Sequence, residues 1–117
     1  MNSSTEPVTC NNVMELDLDE VRVRLFELVE KHDLSLTLDT ELYVRLLGEY
    51  AGLYQYVSEI YVYLIARVRA FTEAKNIFKK IKAQDRRDCL EHILKVIKFN
   101  YDSLSRKVTI LSQEDRE

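Results

Sequence analysis

Apolar positions along this chain recur at helical spacing in three stretches. Leu18, Val21, Leu25 and Leu28, with Val29 beside them, repeat at three and four residues, the period of one helix face. Asp17, Asp19 and Glu20 stand at the start of this stretch, where negative charge suits the helix dipole. The pattern predicts a first helix over 16–33. Residues 34–38, "LSLTL", alternate apolar and polar and read as an extended connector rather than a strand, because no partner strand is in sight.

Asp39 or Thr40 is a suitable N-cap for a second helix, and no breaker then intervenes until about Gln84. Leu46, Tyr50, Leu53, Val57, Ile60 and Leu64 form a heptad seam. A second seam runs beside it through Tyr43, Leu47, Tyr50, Tyr54, Val57, Tyr61, Leu64 and Val68, and the apolar pattern continues through Phe71, Ala74, Phe78 and Ile81. The expected helix over 40–84 would be ~67 Å long at the standard rise. Asp85 is the natural cap for a third helix over 86–113. There Leu90, Leu94, Ile97, Tyr101, Leu104, Val108 and Leu111 keep a heptad spacing. "DRRD", residues 85–88, is then the expected tip of an antiparallel, coiled-coil-like hairpin.

This arrangement places the last helix over the second half of the long one, from Val57 to Ile81, and leaves 40–56 short of cover. A second copy of the chain is the expected cover, so the sequence predicts an oligomeric bundle. Tyr43, Leu47, Gly48, Ala51, Gly52 and Tyr54 are the candidate interface. Each mid-helix glycine costs roughly 1 kcal/mol against alanine, and a small-residue patch allows close helix approach.

Composition agrees with an all-α chain. Only two glycines and one proline are present among 117 residues, too few breakers for the turns of a multi-stranded sheet. Hydrophobic residues make up 46% and charged residues 32%, the balance of a folded domain rather than a disordered chain. One domain over 13–117 is expected, preceded by a flexible tail over 1–12 that shows no features of a signal peptide. The longest apolar run, Ile60 to Ala66, is far short of the ~20 residues that span a bilayer. Cys10 and Cys89 match no paired motif and read as reduced thiols. A soluble, cytoplasmic protein without membrane association is expected.

Little in the sequence suggests catalysis. There is no Gly-rich phosphate loop, and no nucleophile stands beside a base. His32 and His92 are isolated, and His92 three residues from Cys89 makes only two ligands of a metal set. A non-enzymatic protein with no cofactor and no metal is the reading.

Charge is more informative. Residues 1–65 hold four Lys/Arg and twelve Asp/Glu, whereas residues 66–107 hold twelve Lys/Arg and five acids. The formal net charge of -3 therefore conceals one acidic and one basic half. Such asymmetry points to polyanion binding. On one continuous helix Arg67, Lys75, Lys79 and Lys82 would share a face within about 120°. Lys75, Lys79, Lys80, Lys82, Arg86, Arg87, Lys95 and Lys98 are the candidate phosphate contacts. No base-reading motif accompanies them, so binding should be sequence-tolerant and salt-sensitive, with single-stranded DNA favoured. A solvated charged face, an acidic protein partner and a small anionic ligand held between subunits are the competing readings. The tyrosines lie along the seams and read as core and interface residues.

The basic stretch "IARVRAFTEAKNIFKKIKA" followed by the amphipathic "CLEHILKVIKFNYDSLSRKVTIL" resembles the UvsY-type recombination mediators of phages. The likeness covers residues 40–111 and lies in the order and pattern of the helices, so no functional residue is carried over. The first helix and the "LSLTL" connector have no counterpart in it. The resemblance implies an oligomeric accessory of recombination or replication that binds single-stranded DNA and helps to load a recombinase.

Overall fold

The structure, a computed structural model, describes residues 7–34 and 40–115. A short 3-10 helix, Val13–Glu15, leads into three α-helices: α1 (Leu18–Leu34), α2 (Thr40–Glu73) and α3 (Ile77–Asp115). Together they form an elongated all-α bundle of 63 × 29 × 19 Å. The extensive packing of α2 on α3 dominates it, and α1 lies against both.

The first helix starts where its cap chemistry dictates. Asp17 is the N-cap, its Oδ1 accepting the Asp19 amide at 3.0 Å and its carbonyl accepting the Glu20 amide at 3.2 Å. Leu18, Val21, Leu25 and Leu28 are all buried, as their spacing predicts. Residues 7–12 include a hydrogen-bonded turn. The Asn12 side chain accepts the Thr9 amide at 2.8 Å and donates to the Pro7 carbonyl at 2.9 Å. This turn delivers Val13 fully into the core. The expected connector over 35–38 and the candidate cap Asp39 lie outside the described residues.

The hairpin turns earlier than expected. Helix α2 ends at Glu73, and Lys75 takes a left-handed conformation with φ of 58°. Its amide donates to the Thr72 carbonyl at 3.1 Å, and the Asn76 amide donates to Phe71 at 2.9 Å. These two bonds are the Schellman motif that closes a helix C-terminus. Asn76 then serves as N-cap of α3, its Oδ1 accepting the Lys79 amide at 3.2 Å. The tip is therefore residues 74–76 rather than "DRRD". Asp85, expected to cap a helix, sits inside α3, and no helix runs unbroken over 40–84.

Moving the turn changes what covers what. Helix α3, 39 residues long, runs back antiparallel along α2, so that Tyr50 and Tyr54 share a surface with Ile97 and Tyr101. Leu46, Tyr50 and Leu53 are buried within the single chain, and the shortage of cover expected over 40–56 does not occur. The first seam is the core: Tyr43, Leu46, Tyr50, Leu53, Val57, Ile60, Leu64 and Phe71 face inward. On α3 the buried set is Ala83, Leu90, Ile93, Ile97 and Leu104, with Leu94, Val108 and Leu111 half-buried at its edges. No helix of the described residues is long and apolar enough to cross a membrane.

Candidate nucleic-acid interface

The early turn splits the basic stretch between two helices. Arg67 lies on α2, Lys75 in the turn, and Lys79, Lys80 and Lys82 on the first two turns of α3. The single-helix face that should have joined Arg67 to Lys75, Lys79 and Lys82 does not exist. Phe71 rejoins part of it: the Arg67 guanidinium stacks 4.5 Å from the ring centroid, and Lys79 Nζ approaches the same ring at 6.0 Å. Both distances are within cation–π range. A buried aromatic thus holds one cation from each helix at the base of the tip.

Beyond this stack the tip is open. Lys75, Lys79 and Lys82 are exposed and Lys80 half-buried. None of the ion pairs among the described residues takes up Lys75, Lys79, Lys80 or Lys82. Phe71, Thr72, Lys75, Asn76, Ile77 and Lys80 line a shallow depression of about 330 Å³ between the helix ends. Phe78 is 86% exposed and Ile77 68% exposed, with Ile81 half-exposed one turn on. Sequence periodicity had assigned Phe78 and Ile81 to a seam. A continuous helix would have buried them, and the turn leaves them beyond the end of the core.

Other candidate cations have other partners. Arg86 is half-buried and donates to the carbonyls of Leu16 and, at 3.4 Å, Val13. Burial pushes its guanidinium pKa down, against the opposing influence of Cys89 and Asp17. Arg86 therefore ties the N-terminal segment to α3 and is not at a hairpin tip. Arg87 pairs with the adjacent Asp88 at 3.0 Å. Lys95 pairs with Glu91 at 3.8 Å, one turn back on an exposed face. Lys98 lines an apolar groove of about 330 Å³ with Tyr50, Ala51, Tyr54, Ile97, Tyr101 and Asp102. It lies roughly 27 Å from Lys80 along α3 at the standard rise. Lys75, Lys79, Lys80 and Lys82 lie at the tip, Arg86 and Arg87 stand about one turn further along α3 with protein partners of their own, and Lys95 and Lys98 lie beyond them.

A second polar cluster balances its own charge. Arg22 meets Asp19 at 2.6 Å and Cys89 Sγ at 2.7 Å, and the hydrogen bond to Asp19 leads the rise in its pKa. Asp17, Asp85 and Arg86 border the same groove. With acids and guanidiniums alternating, it offers no concentrated field for an anion.

Of the candidate interface on α2, Tyr43 is buried inside the chain and Leu47 half-buried. Gly48, Ala51 and Gly52 are exposed, and Tyr54 is 40% exposed. A Cβ added at either glycine would meet nothing within 4 Å among the described residues, and Gly52 borders an open groove between α1 and α2 with Arg24, Glu27, Leu28 and Lys31. No family model, curated protein or solved structure matches the chain.

Proposed function

We propose that this protein is a non-catalytic nucleic-acid-binding accessory, and that the hairpin tip grips the phosphates of single-stranded DNA. One observation carries the reading: Lys75, Lys79, Lys80 and Lys82 lie at one end of an elongated molecule, and among the described residues no carboxylate pairs with them. Lysines already held in ion pairs would have to break them to bind a phosphate, whereas these four are free to exchange water and counterions for it. The role is in recombination or replication, where a scaffold that holds a strand needs no chemistry of its own. Copies of the chain associate through the exposed α2 face of Gly48, Ala51, Gly52 and Tyr54 and so repeat the tip along a strand.

Anisotropy of a labelled oligo(dT) of about 30 nucleotides tests this. With four phosphates neutralised on a single strand, affinity should fall about 50-fold when salt rises fourfold. Lys79→Glu/Lys80→Glu/Lys82→Glu should abolish binding at both salt concentrations. The exposed Ile77, Phe78 and Ile81 favour a second reading, in which the tip docks on a protein such as a recombinase. That reading predicts no oligo(dT) binding by the wild type, and an attachment to the partner that moderate salt leaves intact.

A further inference from the structure

Phe78 has no explanation in the fold. It is 86% exposed, the largest exposure among the exposed large hydrophobic residues, and the first buried residue of α3 is Ala83, five positions on. It makes no contribution to the buried cluster. Its surroundings are cationic: Lys79 follows it directly, Lys82 lies one helical turn on at i+4, and Lys75 precedes it in the turn. An apolar ring standing in water inside a group of unpaired ammonium groups suits a ligand that is anionic along its length and carries flat apolar faces between its charges.

We infer that Phe78 is a base-stacking platform, and that it makes the tip selective for unpaired over paired nucleic acid. The inference rests on the proposed phosphate contacts and adds the part of the ligand they do not see. Bases of a single strand can turn one π-face onto the ring, while the lysines hold the flanking phosphates. In a duplex those faces are occupied by neighbouring bases, and only phosphates remain to be bound. Ile77 and Ile81 flank the ring and give the edge of a stacked base an apolar neighbour. Because every base has a π-face, the contact is tolerant of sequence.

A lipid surface is the other anionic partner with an apolar layer. The arrangement of the tip argues against it. The exposed apolar side chains occupy about one turn, and Lys79, Lys80 and Lys82 stand at the same level of the helix. Insertion past the headgroups would drag those ammonium groups with the ring, whereas membrane-surface helices separate a long apolar face from a polar one.

The chain contains no tryptophan, so Phe78→Trp introduces its sole indole at the tip. Substitution at so exposed a position leaves the packed core untouched. The experiment measures wild type, Phe78→Ala, Phe78→Trp and the triple lysine-to-glutamate variant against three labelled probes of about 30 units: oligo(dT), an abasic strand and a blunt duplex. Phe78→Ala should bind oligo(dT) roughly 5- to 150-fold more weakly, the range that removal of one stacked base implies. Its affinity for the abasic strand and the duplex should not change. Phe78→Trp should keep its affinity, with indole emission quenched by oligo(dT) and not by the abasic strand.

If Phe78→Ala binds oligo(dT) as tightly as wild type while the triple variant does not, the stacking inference is overturned and the phosphate-binding reading stands. If wild type binds none of the probes at low salt, both are overturned. Vesicles of phosphatidylcholine with one third phosphatidylserine provide the last arm. Capture of Phe78→Trp on them with blue-shifted emission, without oligo(dT) binding, would assign the tip to membranes and also overturn both.

Discussion

Arg86 and Lys75 were indistinguishable in the sequence, as two cations of one basic stretch, and the structure gives them different work. Arg86 donates to the carbonyls of Val13, in the 3-10 helix, and Leu16, its C-cap. A planar guanidinium suits this, because its several fixed N–H groups can serve two acceptors together. Arg86→Met keeps the length of the stem and removes every donor. It should destabilise the fold by about 2 kcal/mol, the usual size for hydrogen bonds from a charged group, with a lower urea midpoint. Affinity for oligo(dT), measured where the variant remains folded, should stay close to that of the wild type. Charge could be counted in the sequence, but which charges had protein partners could not, since the Leu16 carbonyl is seventy positions from Arg86 in the chain.

At the scale of elements, the decisive feature is the turn at 74–76. A left-handed C-terminal position is usually glycine, and here it is Lys75 with φ of 58°. The missing glycine is why the helix end was invisible in the apolar pattern, which ran on through Phe78 and Ile81 in phase. The one local signal of the break is Asn76, an N-capping residue whose Oδ1 accepts the Lys79 amide. Lys75→Gly should relieve the left-handed strain and raise stability by about 1 kcal/mol, visible as a higher thermal midpoint. The same substitution removes one of the proposed phosphate contacts, so its salt slope on oligo(dT) should be shallower by about 0.7. On the proposed reading, stability and binding should move in opposite directions at this one residue. The seams themselves were legible. Leu18 to Leu28, Leu46 to Leu64, and Leu90, Ile97 and Leu104 are buried as their spacing requires, because helix periodicity is a local property.

At the scale of the whole molecule, the turn position sets how far α3 reaches. A hairpin closing at 74–76 lets α3 cover α2 as far back as Leu46, so this chain completes its core without a second copy. The expectation of association from uncovered seams therefore loses its original support, and the proposal rests on the exposed face of Gly48, Ala51, Gly52 and Tyr54. Gly48→Ala/Gly52→Ala separates folding from assembly. Both positions are helical and open, so the double variant should gain roughly 1 kcal/mol per site in thermal unfolding of the dilute protein. If copies pack across this face, the added methyl groups hold the helices apart, and light scattering should show a smaller assembly than wild type at high concentration. Unchanged mass would remove that face from the proposed assembly.

The sequence by itself determined that the chain is all-α, which residues face the core along most of each helix, and that positive charge gathers in its second half. These follow from composition and from periodicities of three to four residues, which need no knowledge of distant neighbours. Tertiary structure alone decided where the hairpin closes, that Arg86 is tied to the N-terminal segment, and that Lys75, Lys79, Lys80 and Lys82 share the tip with an exposed Phe78. Each of these depends on which helix ends meet in space, and a turn built on a left-handed lysine breaks the chain without breaking its apolar pattern.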